Sequence, residues 1–166
     1  MAGYTELLQT MLAMVIVSFL VINANRAILV NTETMVEGEL ENQVIAIAQD
    51  FIEESRSTTF DAETVGGNVP VNIPDGFSSI GPGSGETSRA DFNDFDDYDG
   101  WTETIIASGG IEYEVSIEVS YFKNGAPTNT KSTLKQMTVT VSSDDLTNNG
   151  TTKTYTFKFL RSFYAD

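Results

Sequence analysis

The densest run of groups able to do chemistry is Asp91-Phe92-Asn93-Asp94-Phe95-Asp96-Asp97-Tyr98-Asp99-Gly100-Trp101. Phe92, Phe95, Tyr98 and Trp101 recur every third residue, and five aspartates fill the gaps. A period of three suits a tight 3₁₀ turn that lays an aromatic ridge on a sheet and leaves its acids in solvent. The same spacing offers a second chemistry. Hard carboxylate oxygens gathered before a glycine are what calcium prefers, which makes Asp94, Asp96, Asp97 and Asp99 candidate calcium ligands. The EF-hand spacing is not met, because Phe95 stands where a carboxylate is required.

Glu6 is the second such group. It is the lone charge in a sequence that runs Leu7-Leu8-Gln9-Thr10-Met11-Leu12-Ala13-Met14-Val15-Ile16-Val17-Ser18-Phe19-Leu20-Val21-Ile22 immediately afterwards. A carboxylate there can complement the positive end of a helix dipole in the first turn. Alternatively it enters an apolar assembly, where it must find a cation, such as the α-amino group of another copy. The residues themselves leave both open.

The rest of the composition narrows the field. The 166 residues include no Cys and no His, so no disulfide, thiolate nucleophile, imidazole acid–base group or Ser-His-Asp triad is available. Residues 1–100 hold 3 basic and 17 acidic side chains, against 6 and 7 in residues 101–166. A net charge of -15 repels phosphate backbones, so no nucleic-acid binding is indicated. A carboxylate-pair glycosidase would need a surrounding cleft that no spacing here predicts, so no enzyme activity is expected.

These groups must be positioned by a small set of elements. The apolar run sits at the short end of membrane-spanning length and is long for a signal-peptide core. No Pro occurs before Pro70, and beyond the apolar run Val36, Leu40, Val44, Ile47, Ala48 and Phe51 recur at helical spacing. One helix from about Tyr4 to Ser57 would be roughly 80 Å long. Its first half (1–30) serves an apolar setting and its second (31–57) the face of a globular head. Residues 58–101 form a Gly/Pro/Asp-rich irregular connection. Residues 102–166 carry strand signals at Glu103–Ser108, Ile111–Phe122, Leu134–Ser142 and Thr154–Phe163. Turns are expected at Gly109-Gly110, Asn124-Gly125 and Asp144–Gly150. The expected fold is α+β: a long N-terminal helix packed on a C-terminal four-stranded antiparallel meander. Glu112, Glu114 and Glu118 would face outward, within reach of Lys135, Lys153 or Lys158. Asn149-Gly150-Thr151 matches a glycosylation sequon, but it also suits an ordinary Asn-Gly turn.

Thr5-Glu6-Leu7-Leu8, the apolar run to Ile22, the Pro-poor helix, the Gly-rich connection and the terminal meander together resemble a type IV pilin or pseudopilin. The likeness in layout covers the whole chain, and its sequence-specific part lies in the first thirty residues. It implies a mature chain with a methylated N-terminal residue, and a Glu at the fifth position that neutralises a neighbour's amino terminus. Glu6 takes that position only if the mature chain starts at Ala2. The family's basic leader is absent, so an already processed chain is expected. The family's Pro near the end of the apolar run and its C-terminal disulfide are missing too. Some pseudopilins bind calcium in the loop that corresponds to 91–101.

On this resemblance the chain is a structural subunit, held in the inner membrane before assembly and then drawn by the pilus assembly machinery into a helical homo-oligomer on the cell surface. Glu6, Leu7, Leu8, Leu12, Val15, Phe19 and Ile22 are the expected assembly residues. No resident cofactor is expected apart from possible calcium. The alternative is a monomeric, membrane-anchored binding module that displays the acidic loop.

Overall fold

A computed structural model describes residues 2–148 and 150–165. The amino terminus at Met1 and the Asn149 of the sequon lie outside the described residues. The element order is a helix α1 (Ala2–Ser57), then strands β1 (Thr102–Ile106), β2 (Glu112–Lys123), β3 (Ala126–Thr128), β4 (Leu134–Asn148) and β5 (Thr151–Ser162), with short 3₁₀ turns between. The residues fall into two compact units, one up to Glu41 and one from Asn42 onward.

The first unit is helix alone. Its side chains from Gly3 to Val36 are exposed, and the one-sided pattern expected from Val36 begins later, since Val36 itself is open to solvent. Three polar side chains in and just after the apolar run bond to their own helix. Thr10 donates to the Leu7 carbonyl at 2.9 Å, Ser18 to Met14 at 2.8 Å and Asn23 to Phe19 at 2.8 Å. Thr32 and Thr34 repeat the pattern on Ile28 and Val30.

The second unit begins with the rest of α1. Val44, Ala48 and Phe51, at steps of four and three, are fully buried. Burying a side chain the size of Phe51 contributes about 1.5–3 kcal/mol, which a helix end of this kind needs to stay folded. The helix stops at Ser57, where Ser55, Ser57 and Thr58 turn their hydroxyls back onto carbonyls three residues earlier.

The sheet is antiparallel in the order β1-β2-β4-β5, with β3 paired only to the end of β2. Strict alternation in β2 is realised: Tyr113, Val115, Ile117, Val119 and Tyr121 are buried and Glu112, Glu114, Ser116 and Glu118 are exposed. The turn glycines are required where they stand. Gly109 and Gly110 both take positive φ, and Asn124-Gly125 adopts φ of 55° and 83°, the twist a two-residue hairpin demands.

Two details depart from the four-stranded expectation. The three-residue β3 makes a fifth strand, because the Asn124-Gly125 turn zips Lys123 to Ala126 before the chain leaves the sheet. Residues Asp144–Asn148, expected as loop, continue β4 through a register shift between Ser142 and Thr147, after which Thr147 and Asn148 pair with Thr152 and Thr151. The bulge re-aims the strand so that Leu146 becomes buried, which outweighs the turn propensity of its neighbours.

The connection 58–101 is irregular but anchored. Phe60, Phe77 and Phe163 form a ring cluster with centroids 5.2–5.6 Å apart, packed with Tyr121. Thr59 pairs with Asp94 in a parallel bridge, and Trp101 and Gly100 bond to Ile117. These links hold the acidic segment against β2 and the end of α1.

Candidate assembly surface and a buried ionic centre

The expected assembly residues lie together on the first part of α1. Leu7, Leu8, Leu12, Val15, Phe19 and Ile22 are each more than half exposed. The best window of the helix has a mean hydropathy of 2.1, and none of it is buried. Thr10, Ser18 and Asn23 already bond to the helix backbone, which lowers the cost of placing these three side chains in an apolar setting. Glu6 is exposed and stands beyond the first turn, which holds no acidic residue.

The acidic segment folds as expected in one respect and not in another. Residues Phe95–Tyr98 form a 3₁₀ turn, and the aromatics dock: Phe92 meets Tyr98 at 5.0 Å and Trp101 at 5.3 Å, and Phe95 meets Phe159 at 6.1 Å. Asp91 is exposed as expected, but three of the acids are not left in solvent. Asp94, Asp96 and Asp97 are buried. The physical reason is local capping. Asp94 accepts from the Asp96 amide at 2.9 Å, and Asp97 reaches back to the amides of Asp94 at 2.9 Å and Asn93 at 2.7 Å. Asp99 accepts from the Val119 amide at 2.8 Å.

All four candidate calcium ligands therefore hold backbone or side-chain partners. Among the described residues, no group of three or more acidic side chains is arranged to hold a metal ion. Among the described residues Asp97 Oδ1 is buried without a hydrogen-bond partner, beside a cavity of about 150 Å³ that Glu86, Asp99 and Trp101 also line. Burial, with the charges of Asp97 and Asp94, raises the Glu86 carboxyl above its usual range.

Sequence reasoning missed the chemical centre of the sheet unit. Lys135 was expected to face solvent and pair with Glu112, Glu114 or Glu118. It is fully buried on the opposite face. Its three ammonium hydrogens go to the Phe60 carbonyl at 2.9 Å, to Asp61 Oδ2 at 2.7 Å and to Asp96 Oδ1. The ring of Phe60 lies 4.7 Å from Nζ and that of Tyr121 at 5.3 Å. The signal was present: Lys135 shares its parity with Met137, Val139 and Val141, so the alternation of β4 turns it inward.

The two carboxyls on this lysine, and Asp94 behind Asp96, differ. Asp61 accepts from the amides of Ser78 and Glu63 and from the Ser78 hydroxyl as well. Burial pushes it upward, but the Lys135 charge and these hydrogen bonds outweigh burial and hold it below the usual carboxylate range. Asp96 is raised, since burial dominates the pull of Lys135. Asp94, which shares a side-chain hydrogen bond with Asp96, is pushed up by burial to about 8. One carboxylate is thus held ionised and two neighbours are driven toward the neutral acid.

Two arginines complete the unit. Arg89 stacks over Phe51 at 4.1 Å and pairs with Glu54, with Asp50 at 3.1 Å and with Glu103 at 3.4 Å. Tyr98 donates to Glu54 at 2.9 Å from the other side. Arg161, inward on β5, donates to the carbonyls of Ser55, Thr58 and Thr59.

No protein-family model, curated protein or solved structure matches this chain. What the layout carries is narrower than a family. A long apolar N-terminal helix followed by an antiparallel sheet is consistent with a pilin-like fold, and that helix is long and apolar enough to cross a membrane.

Proposed function

We propose that the chain is a structural subunit of an extracellular type IV pilus-like filament, held in a membrane by the first part of α1 until assembly. The observation that carries this is the fully exposed apolar window on a helix whose later turns, at Val44, Ala48 and Phe51, are core. A plain anchor accounts for the apolar window, but it gives no role to Glu6, a charge placed at the edge of a surface that must leave water. In a helical homo-oligomer that charge meets the amino terminus of another copy, which offsets a desolvation cost of several kcal/mol. Lipid and bundled helices are both apolar, so packing and this charge pair set the register between subunits. Assembly machinery supplies the work of extraction. No catalytic step and no nucleic-acid contact belong to this function.

Electron microscopy of the sheared extracellular fraction, with intact mass and N-terminal sequencing of what it contains, tests the proposal. Filaments built from this chain are the expected result. Protein confined to the membrane fraction as an unmethylated monomer overturns it in favour of the anchored binding module.

A further inference from the structure

The buried lysine is set up for more than an ion pair. We propose that Lys135 Nζ and the Asp96 side chain join in an intramolecular isopeptide bond once the sheet unit has folded, with Asp61 taking the amine proton and Asp94 acting as the acid.

Each part of the geometry meets a requirement of amide formation. Nζ is within hydrogen-bond distance of a carboxyl oxygen of Asp96, which puts the carboxyl carbon roughly 3–3.5 Å from the nitrogen, the near-attack range. Its second carboxylate partner, Asp61 at 2.7 Å, accepts one of the ammonium hydrogens already, so a proton given up as the nitrogen attacks has an acceptor in place. Asp96, driven toward its neutral form, is the better electrophile of the two. Asp94 accepts from the Asp96 amide at 2.9 Å, which holds it beside the Asp96 side chain, and burial pushes its carboxyl up to about 8, so it can protonate the oxygen that leaves. Phe60 and Tyr121 wall the site with ring faces, and Lys135, Asp61 and Asp96 are all but fully buried.

The medium matters as much as the placement. In water an ammonium and a carboxylate do not condense, because both ions are strongly solvated. Burial instead favours the neutral acid of Asp96 over its carboxylate, so the nitrogen faces a carboxyl group that can be attacked. Exclusion of water also protects the amide once it has formed.

The step balances. The Lys135 ammonium gives one proton to Asp61, and the free amine attacks the Asp96 carboxyl carbon to form the C–N bond. Asp94 protonates a carboxyl oxygen of the tetrahedral intermediate. The C–O bond breaks and the hydroxyl of the neutral Asp96 carboxyl departs as water with the proton from Asp94, which takes a proton back from the nitrogen. Asp61 keeps the other nitrogen proton and releases it to solvent when the site next opens, and no oxidant or co-reactant is needed. The product ties the 91–101 segment to β4 by a covalent link in a chain that has no cysteine.

Peptide mapping by mass spectrometry of the full-length chain, recovered from cells without denaturing labels, tests this. The expected result is a linked pair of peptides that hold Lys135 and Asp96, lighter than their sum by one water, with the bond after Lys135 resistant to trypsin. Lys135→Arg and Asp94→Asn chains that keep the wild-type circular dichroism should yield the two peptides separately. Full recovery of an unlinked Lys135 peptide from the wild type overturns the proposal, whatever the variants do. So does a water loss confined to the Asp99-Gly100 or Asp75-Gly76 pairs, where an Asp-Gly backbone cyclises alone. A link to Asp61 overturns the assignment of the electrophile, and full linkage in Asp94→Asn overturns Asp94 as the acid.

Discussion

Arg161 of β5 donates to the carbonyl of Ser55 at 2.9 Å and closes the C-terminal end of α1 with a side chain more than a hundred residues away in sequence. The last carbonyls of any helix lack intrahelical donors, and a cation there also meets the negative end of the helix dipole. With Thr58 and Thr59 included, one buried guanidinium satisfies three carbonyls.

Arg161→Ala should therefore destabilise the sheet unit by about 1.5–3 kcal/mol, since hydrogen bonds to charged groups are strong and three carbonyls lose their guanidinium donor together. Arg161→Lys should recover only part of this, because an ammonium cannot span the same carbonyls. Urea midpoints of the detergent-solubilised full chain measure both. Equal stability of wild type and Arg161→Ala would show that solvent caps the helix instead.

The Arg89–Glu54 pair predicts a pH dependence. The Arg89 hydrogen bond, against some burial, holds Glu54 below its ordinary value of 4.5. A depressed carboxylate contributes stability that is fully present above the unfolded pKa and disappears as pH falls through the folded one. Glu54 is about a third exposed, so the pair is worth at most ~1 kcal/mol. Glu54→Gln should melt below wild type at pH 7, and the gap should close as the pH drops well under 4.5. A gap that stays constant across this range would assign the loss to packing.

On the assembly surface, two substitutions separate membrane residence from polymerisation. Glu6→Ala removes the charge that needs a partner and should leave the chain in the membrane while filaments are lost. Leu12→Lys puts a cation at the centre of the apolar run, at a cost of about 2.5–3.5 kcal/mol for insertion. It should deplete the membrane fraction itself. Fractionation with immunoblotting and microscopy reads both, and normal filaments from Glu6→Ala would remove the charge pair from the mechanism.

Calcium should leave the melting temperature unchanged at millimolar concentration, because Asp94, Asp96, Asp97 and Asp99 all have partners within the fold. Asp97 Oδ1 provides the control. A melting-temperature rise with calcium that Asp97→Asn abolishes would mean that this unpartnered oxygen and the Glu86 carboxyl beside it take the ion.

Much of the fold was legible because its signals are local. The apolar run, the alternation of Tyr113 to Tyr121, the Asn124-Gly125 turn and the helix end at Ser57 all follow from spacing or backbone preference within a few residues. The three-residue period of Phe92, Phe95, Tyr98 and Trp101 likewise announced the 3₁₀ turn and its docked ridge. The candidate chemistry was less legible. Aspartates look exposed in a sequence, yet Asp94 and Asp97 are turned inward by the amides they cap, and those amides become buried only when the ridge docks. Leu146 was hidden in a stretch whose composition favours a turn, and only the bulge after Ser142 makes it core.

By itself, then, the sequence determined an apolar helix that continues into a one-sided one, a set of hairpins, and a chain with neither thiol nor imidazole. Those are consequences of short-range periodicity and of which side chains are present. Only the tertiary structure decided that Lys135 lies between Asp61 and Asp96 and that Arg161 closes α1. Strand parity can say that a charge points inward. Which opposite charge meets it is set by sheet register and loop docking, and at low dielectric that pairing governs whether the group stays an ion, loses its proton or reacts.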